Sequence, residues 1–155
     1  MHPSTTTTLL TTLFVGLTAA LPTTTKLHPR AGGPAIIPIP STCVISNPNP
    51  SPSPADFLPT PSTSSASLYS AYYPSNSANT TQMAEQCLQQ CYGYGDHTEC
   101  KASFFAENVL IPDGQTGAGQ LSAVCLLYTR ALVKEDFEGA PEGQGTGAWT
   151  RNLAC

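Results

Sequence analysis

Six cysteines are the residues whose type and spacing promise chemistry in this chain: Cys43, Cys87, Cys91, Cys100, Cys125 and Cys155. Thiolates bind zinc, act as nucleophiles, or pair as disulfides. Structural zinc sites are usually built from C-x2-C pairs whose thiols stay reduced. Here Cys87 and Cys91 are spaced C-x3-C, and the segment ahead of them reads as an export signal. An even cysteine count in an exported chain reads as a disulfide framework. With all six in bridges, no thiol is left as nucleophile or ligand, and no metal or cofactor is expected.

Other groups able to catalyse are sparse. His97 is the only histidine after Arg30, so a Ser-His-Asp arrangement would have to use it. It sits in the polar run Gly95-Asp96-His97-Thr98-Glu99. Asp96, His97 and Glu99 could be taken for a metal cluster, but adjacent positions need a fold to aim them, and the run reads as a solvated turn. Glu135, Asp136, Glu138 and Glu142 form an acidic cluster. It lacks calcium-loop spacing, and so small a domain has little room for a two-carboxylate sugar cleft. That cluster reads as a solvated loop, and no catalytic residue is expected. Tyr92, Tyr94 and Trp149 are the candidate ligand contacts, because exposed aromatics stack on sugar rings or anchor protein interfaces. Their alternative role is packing beside the disulfides. Asn79-Thr80-Thr81 is an N-glycosylation sequon, with Asn79 the acceptor.

The elements that must hold these residues do not fill the 155-residue chain. Residues 1–20 read as a signal peptide, with an apolar run over 9–17 and small residues at Thr18-Ala19-Ala20. That run is too short to span a bilayer, and no second one follows, so no membrane span is expected. Residues 21–67 read as a Pro/Ser/Thr-rich linker that cannot pack a core. Asn47 to Pro54 places proline at every second position. A short strand is expected within the linker around 42–46, and Lys26 to Arg30 reads as linker rather than a processing site. The folding unit is then 68–155, small enough that cross-links are the usual remedy for a marginal core. Charged residues make up 10% of the chain, against roughly 25% in a typical soluble domain. From Ala31 onward four basic residues face ten acidic ones. No basic stripe exists, which argues against nucleic-acid or anionic-membrane binding. A monomer is expected.

Met83, Cys87, Leu88 and Cys91 recur at helical spacing, which predicts a helix over 81–92 capped by Thr80 or Thr81 and stopped at Gly93. Cys100 to Leu110 reads as a strand whose alternate residues Cys100, Ala102, Phe104 and Ala106 form one inward row. Ala123 to Arg130, apolar on both faces, reads as a central strand under a helix. Gly139 to Gly147 reads as loop, and Trp149 to Cys155 as a short terminal strand. On a helix, the Cβ vectors of Cys87 and Cys91 tilt the same way and do not converge. Each must reach outward. Cys91, at the helix end, is a short turn from Cys100, so Cys91–Cys100 follows. Cys87 then points to the other strand, giving Cys87–Cys125. Cys43 and Cys155 remain, to tie the ends together as Cys43–Cys155. That last bridge contributes about 4–5 kcal/mol in the chain-entropy model.

The helix with Cys87-x-x-x-Cys91, the strand opening Cys100-Lys-Ala-Ser-Phe-Phe and the strand Ala123-Val124-Cys125-Leu126-Leu127 together resemble the PAN/Apple-like fold. Cys87-Leu-Gln-Gln-Cys91-Tyr-Gly-Tyr-Gly and Asp136 to Gln144 are similar to stretches of small secreted cysteine-rich proteins of filamentous fungi that carry this module. The resemblance covers Thr80 to Cys155. It implies an α+β fold, with one helix disulfide-linked to a small antiparallel β-sheet and many members carrying a third bridge between the ends. It also implies a non-catalytic adhesion or binding module, secreted or cell-wall associated, with an extracellular glycan or protein as partner. The competing expectations are an effector-like or structural small secreted protein, and a small secreted hydrolase.

Overall fold

The computed structural model describes residues 33–49, 55–74 and 79–155. The expected signal peptide (1–20), Lys26 to Arg30 and the prolines at 50–54 lie outside them. The described chain is α+β. One helix, α1 (Thr80–Tyr92), packs on a five-stranded antiparallel sheet. In spatial order the strands are β1 (Val44–Ser46), β7 (Thr146–Ala154), β4 (Ala102–Leu110), β5 (Leu121–Tyr128) and β3 (Ser67–Tyr73). A separate antiparallel pair is formed by β2 (Phe57–Pro59) and β6 (Phe137–Gly139).

The central strand explains the layering. In β4 every residue from Ala102 to Ala106 is buried, so both sheet faces are covered. Strand side chains alternate between faces. Phe105 lies opposite Cys125 of β5 and Trp149 of β7, and all three look towards the helix. There Phe105 joins Ala84, Cys87, Leu88, Cys91 and Leu127 in one core. Phe104, opposite Leu126 and Thr150, looks the other way. It meets Phe57, Ala66, Tyr128, Leu132 and Ala148 in a second core. Phe57 and Phe137, supplied by the β2–β6 pair, close this second face, their rings 5.1 Å apart and edge to face.

The alternation in β4 therefore points differently from the sequence expectation. The strand starts at Ala102, so Cys100 is outside its period and turns to the helix, while Ala102, Phe104 and Ala106 face the second core. The linker expected over 21–67 is also shorter than its composition implies. β1 lies where the short strand was expected, but β2, a 3-10 turn over Pro61–Ala66 and the start of β3 belong to the fold. Pro59 ends its strand and Pro61 opens the turn, two places where a missing amide proton costs no ladder bond. Ser67–Tyr73 then pairs along β5 as an outer strand. Part of the stretch read as Gly-rich loop is also ordered, since β6 ends at Gly139 and β7 begins at Thr146.

The cap of α1 is Asn79 rather than a threonine: its Oδ1 accepts the Gln82 N–H at 3.0 Å. At the other end Gly93 keeps a right-handed φ of −77°, so it is not a left-handed stop. Glycine is required there by close approach, because a Cβ at Gly93 would lie 2.0 Å from the Ala35 carbonyl oxygen. Residues Gly33–Pro40 run across this last turn without regular structure, and Ile39 packs on the helix-side core.

Phe104 is fully buried between β4 and the β2–β6 pair. Phe104→Ala is expected to lower stability by about 3–5 kcal/mol, read as a shifted midpoint in urea unfolding of the oxidised protein.

Candidate functional site

The three bridges set where every other group can be. Cys87 joins Cys125, Cys91 joins Cys100, and Cys43 joins Cys155, with Cα–Cα distances of 5.6, 5.3 and 4.2 Å. These are the pairs named from spacing above. The first carries the middle of α1 onto β5, and the second pins the helix end to the chain entering β4. Four of these cysteines have almost no solvent contact, whereas Cys43 is half-buried and Cys155 exposed. β1 pairs with β7 beside that third bridge, Val44 opposite Ala154.

Just past the pinned helix end, Tyr94 meets Tyr69 of β3, with ring centroids 6.5 Å apart and planes inclined at 51°. The two rings, with Gly33, Pro34, Gly93 and Gly95, line an open cleft of about 320 Å³. Among the described residues no charged side chain lines it. Burial, with Tyr73 nearby, raises the Tyr69 phenol above its ordinary range, so at neutral pH it remains an O–H donor. Behind it Tyr73 Oη and the Gln90 side-chain amide hydrogen-bond at 3.3 Å. The cleft offers angled aromatic faces, open glycine backbone and neutral donors, which suits an uncharged ring such as a sugar or a proline.

Of the three aromatics singled out from the sequence, only Tyr94 reaches this cleft. Tyr92 stacks on His97 with centroids 4.6 Å apart. Trp149 carries the Arg151 guanidinium 4.8 Å from its ring centroid, and Arg151 in turn pairs with Glu85 of α1. Tyr69, absent from that set, supplies the other wall. Its sequence signal was the β-prone run Leu68 to Tyr73, masked by Ser/Thr/Pro-rich surroundings.

The remaining candidates are occupied locally. His97 Nδ1 lies 2.6 Å from the Tyr92 carbonyl oxygen, in a left-handed backbone with φ 72°. Asp96 accepts bonds from the Thr98 N–H and hydroxyl, which lower its carboxyl pKa. Glu99 folds over Gly95. Among the described residues no three His, Cys, Asp or Glu side chains come close enough to hold a metal ion. In the acidic cluster, Glu135, Glu138 and Glu142 are exposed as expected, but Asp136 is not. It is buried, forms a bidentate pair with Arg130 at 2.6 and 2.7 Å, and accepts the Val133 N–H at 2.8 Å. It is a latch holding the turn before β6, because its carboxylate caps the same turn its backbone builds. Asn79, the sequon residue, is exposed at the opposite end of α1 from the cleft.

Two outcomes follow from these contacts. Arg130 and the Val133 N–H favour the charged Asp136 and hold its carboxyl below the ordinary 3.8. The stability it contributes is fully present above that value and is lost as pH falls through the depressed folded value. Asp136→Asn should therefore flatten the loss of stability measured by urea midpoints between about pH 4 and pH 2. Mild reduction followed by alkylation and mass mapping should label Cys43 and Cys155 well before the four buried cysteines; equal labelling of all six would contradict the burial order.

Comparison with protein families, curated proteins and solved structures finds no match for this chain.

Proposed function

We propose that this chain is an extracellular, non-catalytic recognition module of the PAN/Apple-like kind, which holds a carbohydrate or protein ligand in the Tyr69–Tyr94 cleft. The observation that carries this reading is the cleft itself: uncharged, walled by two tyrosines and glycine backbone, and set on a helix end pinned by Cys91–Cys100. Neutral aromatic walls bind by stacking and by desolvating a ring, and phenol hydroxyls add direction. The family reading is supported by a helix bonded to β5 of an antiparallel sheet and to the chain entering β4, with a third bridge between distant positions.

Three disulfides fit an oxidising compartment. No helix among the described residues is long and apolar enough to cross a membrane. The disulfides support export. Asn79 suits a glycan in this reading. Its cap function uses Oδ1, and a sugar attaches through Nδ2, so both can coexist. A glycan there stands at the far end of α1 and leaves the cleft open.

The reading is tested with the oxidised protein on glycan and peptide arrays. Binding should fall at least about tenfold on Tyr94→Ala or Tyr69→Ala, as expected for aromatic anchors, and change less than about twofold on Trp149→Ala. Ligands that bind equally well to both tyrosine variants would place recognition elsewhere.

A further inference from the structure

The last turn of α1 already holds something with the character of a ligand. Gly33–Pro40 reads Gly-Pro-Ala-Ile-Ile-Pro-Ile-Pro, with no charge and three prolines. Such a sequence prefers an extended polyproline-type backbone and loses little conformational freedom when it docks. It crosses the helix end with the Ala35 carbonyl seated against Gly93, where any side chain would collide. Ile37 donates to the Gln89 carbonyl, and Gly33 lies beside the Tyr69 hydroxyl and the Gln90 amide. Aromatic and glycine walls facing an extended proline-rich segment are the chemistry of polyproline recognition.

The segment is held lightly. None of residues 33–42 is buried, and Ile36 is 50% exposed. The backbone hydrogen bond from Ile37 to Gln89 is long at 3.5 Å. Three residues further on the hold is of a different order, with the Cys43–Cys155 bridge and the β1–β7 ladder. Among the described residues the groove is also only partly filled, since the Tyr69–Tyr94 cleft stays open at the Gly33 end.

We propose that the groove formed by Tyr69, Gln89, Gln90, Gly93 and Tyr94 is a receptor for an uncharged proline-rich segment of a partner protein, and that Gly33–Pro40 is its tethered internal competitor. This deepens the reading above and rests on it, choosing an extended peptide over a sugar as occupant. Because the tether at Cys43 keeps the internal segment at high local concentration, a free peptide competes poorly until the segment is weakened.

The test uses the full oxidised chain and a fluorescent peptide with the sequence Gly33–Thr42, followed by anisotropy. Ile37→Asp with Ile39→Asp weakens the internal segment through its inward side chains. Pro34→Gly with Pro38→Gly weakens it by raising its unbound entropy and touches no core contact. Either pair should raise peptide affinity at least about tenfold over the unmodified chain. Adding Gly93→Ala should abolish the gain, and a peptide with glycine in place of its prolines should bind several-fold more weakly. Each variant is first shown by non-reducing mass mapping to retain three bridges. Bridged variants that bind the peptide no better than the unmodified chain, or that bind it regardless of Gly93→Ala, overturn the proposal. A glycan bound through Tyr69 and Tyr94, with no peptide binding in the weakened variants, overturns this inference and leaves the recognition reading standing.

Discussion

The Cys87–Cys125 bridge joins the middle of α1 to β5, and the positions of the other parts follow from it. A helix thirteen residues long has a modest apolar face, here Ala84, Cys87, Leu88 and Cys91. Packing alone would leave its position along the sheet soft. A covalent link in the middle and a second at the end remove both sliding and swivelling. Phe105 then has a fixed lid, and its neighbour Phe104 is committed to the opposite face. That opposite commitment creates a second core, which the β2–β6 pair must cover.

The helix and the strands β4 and β5 were legible because their patterns are local. Cys87 and Cys91 four apart announce a helix, and the alternation through Phe104 and Phe105 announces a strand. The bridges were legible for the same reason: vectors on a helix constrain where each sulfur goes. β2 and β3 were obscured because Ser, Thr and Pro dominate around them, and what makes them strands is the partner they find on β6 and β5. The cleft lies beyond local reading altogether. Tyr69 and Tyr94 meet because β3 is an outer strand placed beside the helix end. Gly93 looked like an ordinary helix stop, and its true constraint comes from Ala35, far away in sequence. Asp136 looked solvated because nothing near it in the sequence announces that Arg130 folds back to meet it.

Few charges shape how the fold holds polar groups. Between Asp56 and Glu85 there is no charged residue at all. Amides and hydroxyls do the orienting instead. Asn79 caps α1, the Asn152 side chain bridges the backbone of Leu132, and Ser122 reaches the Tyr73 carbonyl. Neutral hydrogen bonds respond weakly to salt, in contrast with surface ion pairs. The two ion pairs among the described residues, Arg130–Asp136 and Arg151–Glu85, sit where a turn and a helix flank must be fastened to the sheet.

The outermost bridge has a mechanical consequence. Cys43 and Cys155 are 112 positions apart in sequence yet directly bonded. Tension entering through the proline-rich segment and leaving at Cys155 crosses a single sulfur–sulfur bond. The helix, both cores and the two tyrosines of the cleft lie inside the closed loop and bear none of that load, whereas Gly33 and Pro34 of the cleft lie ahead of Cys43 and are exposed to it. Once this bridge is reduced, the same pull falls on the three paired positions of β1 and β7, which would peel apart first. Under oxidising conditions the part of the chain between Cys43 and Cys155 is thus a mechanically shielded unit, and it stays in shape while the chain outside it is stretched.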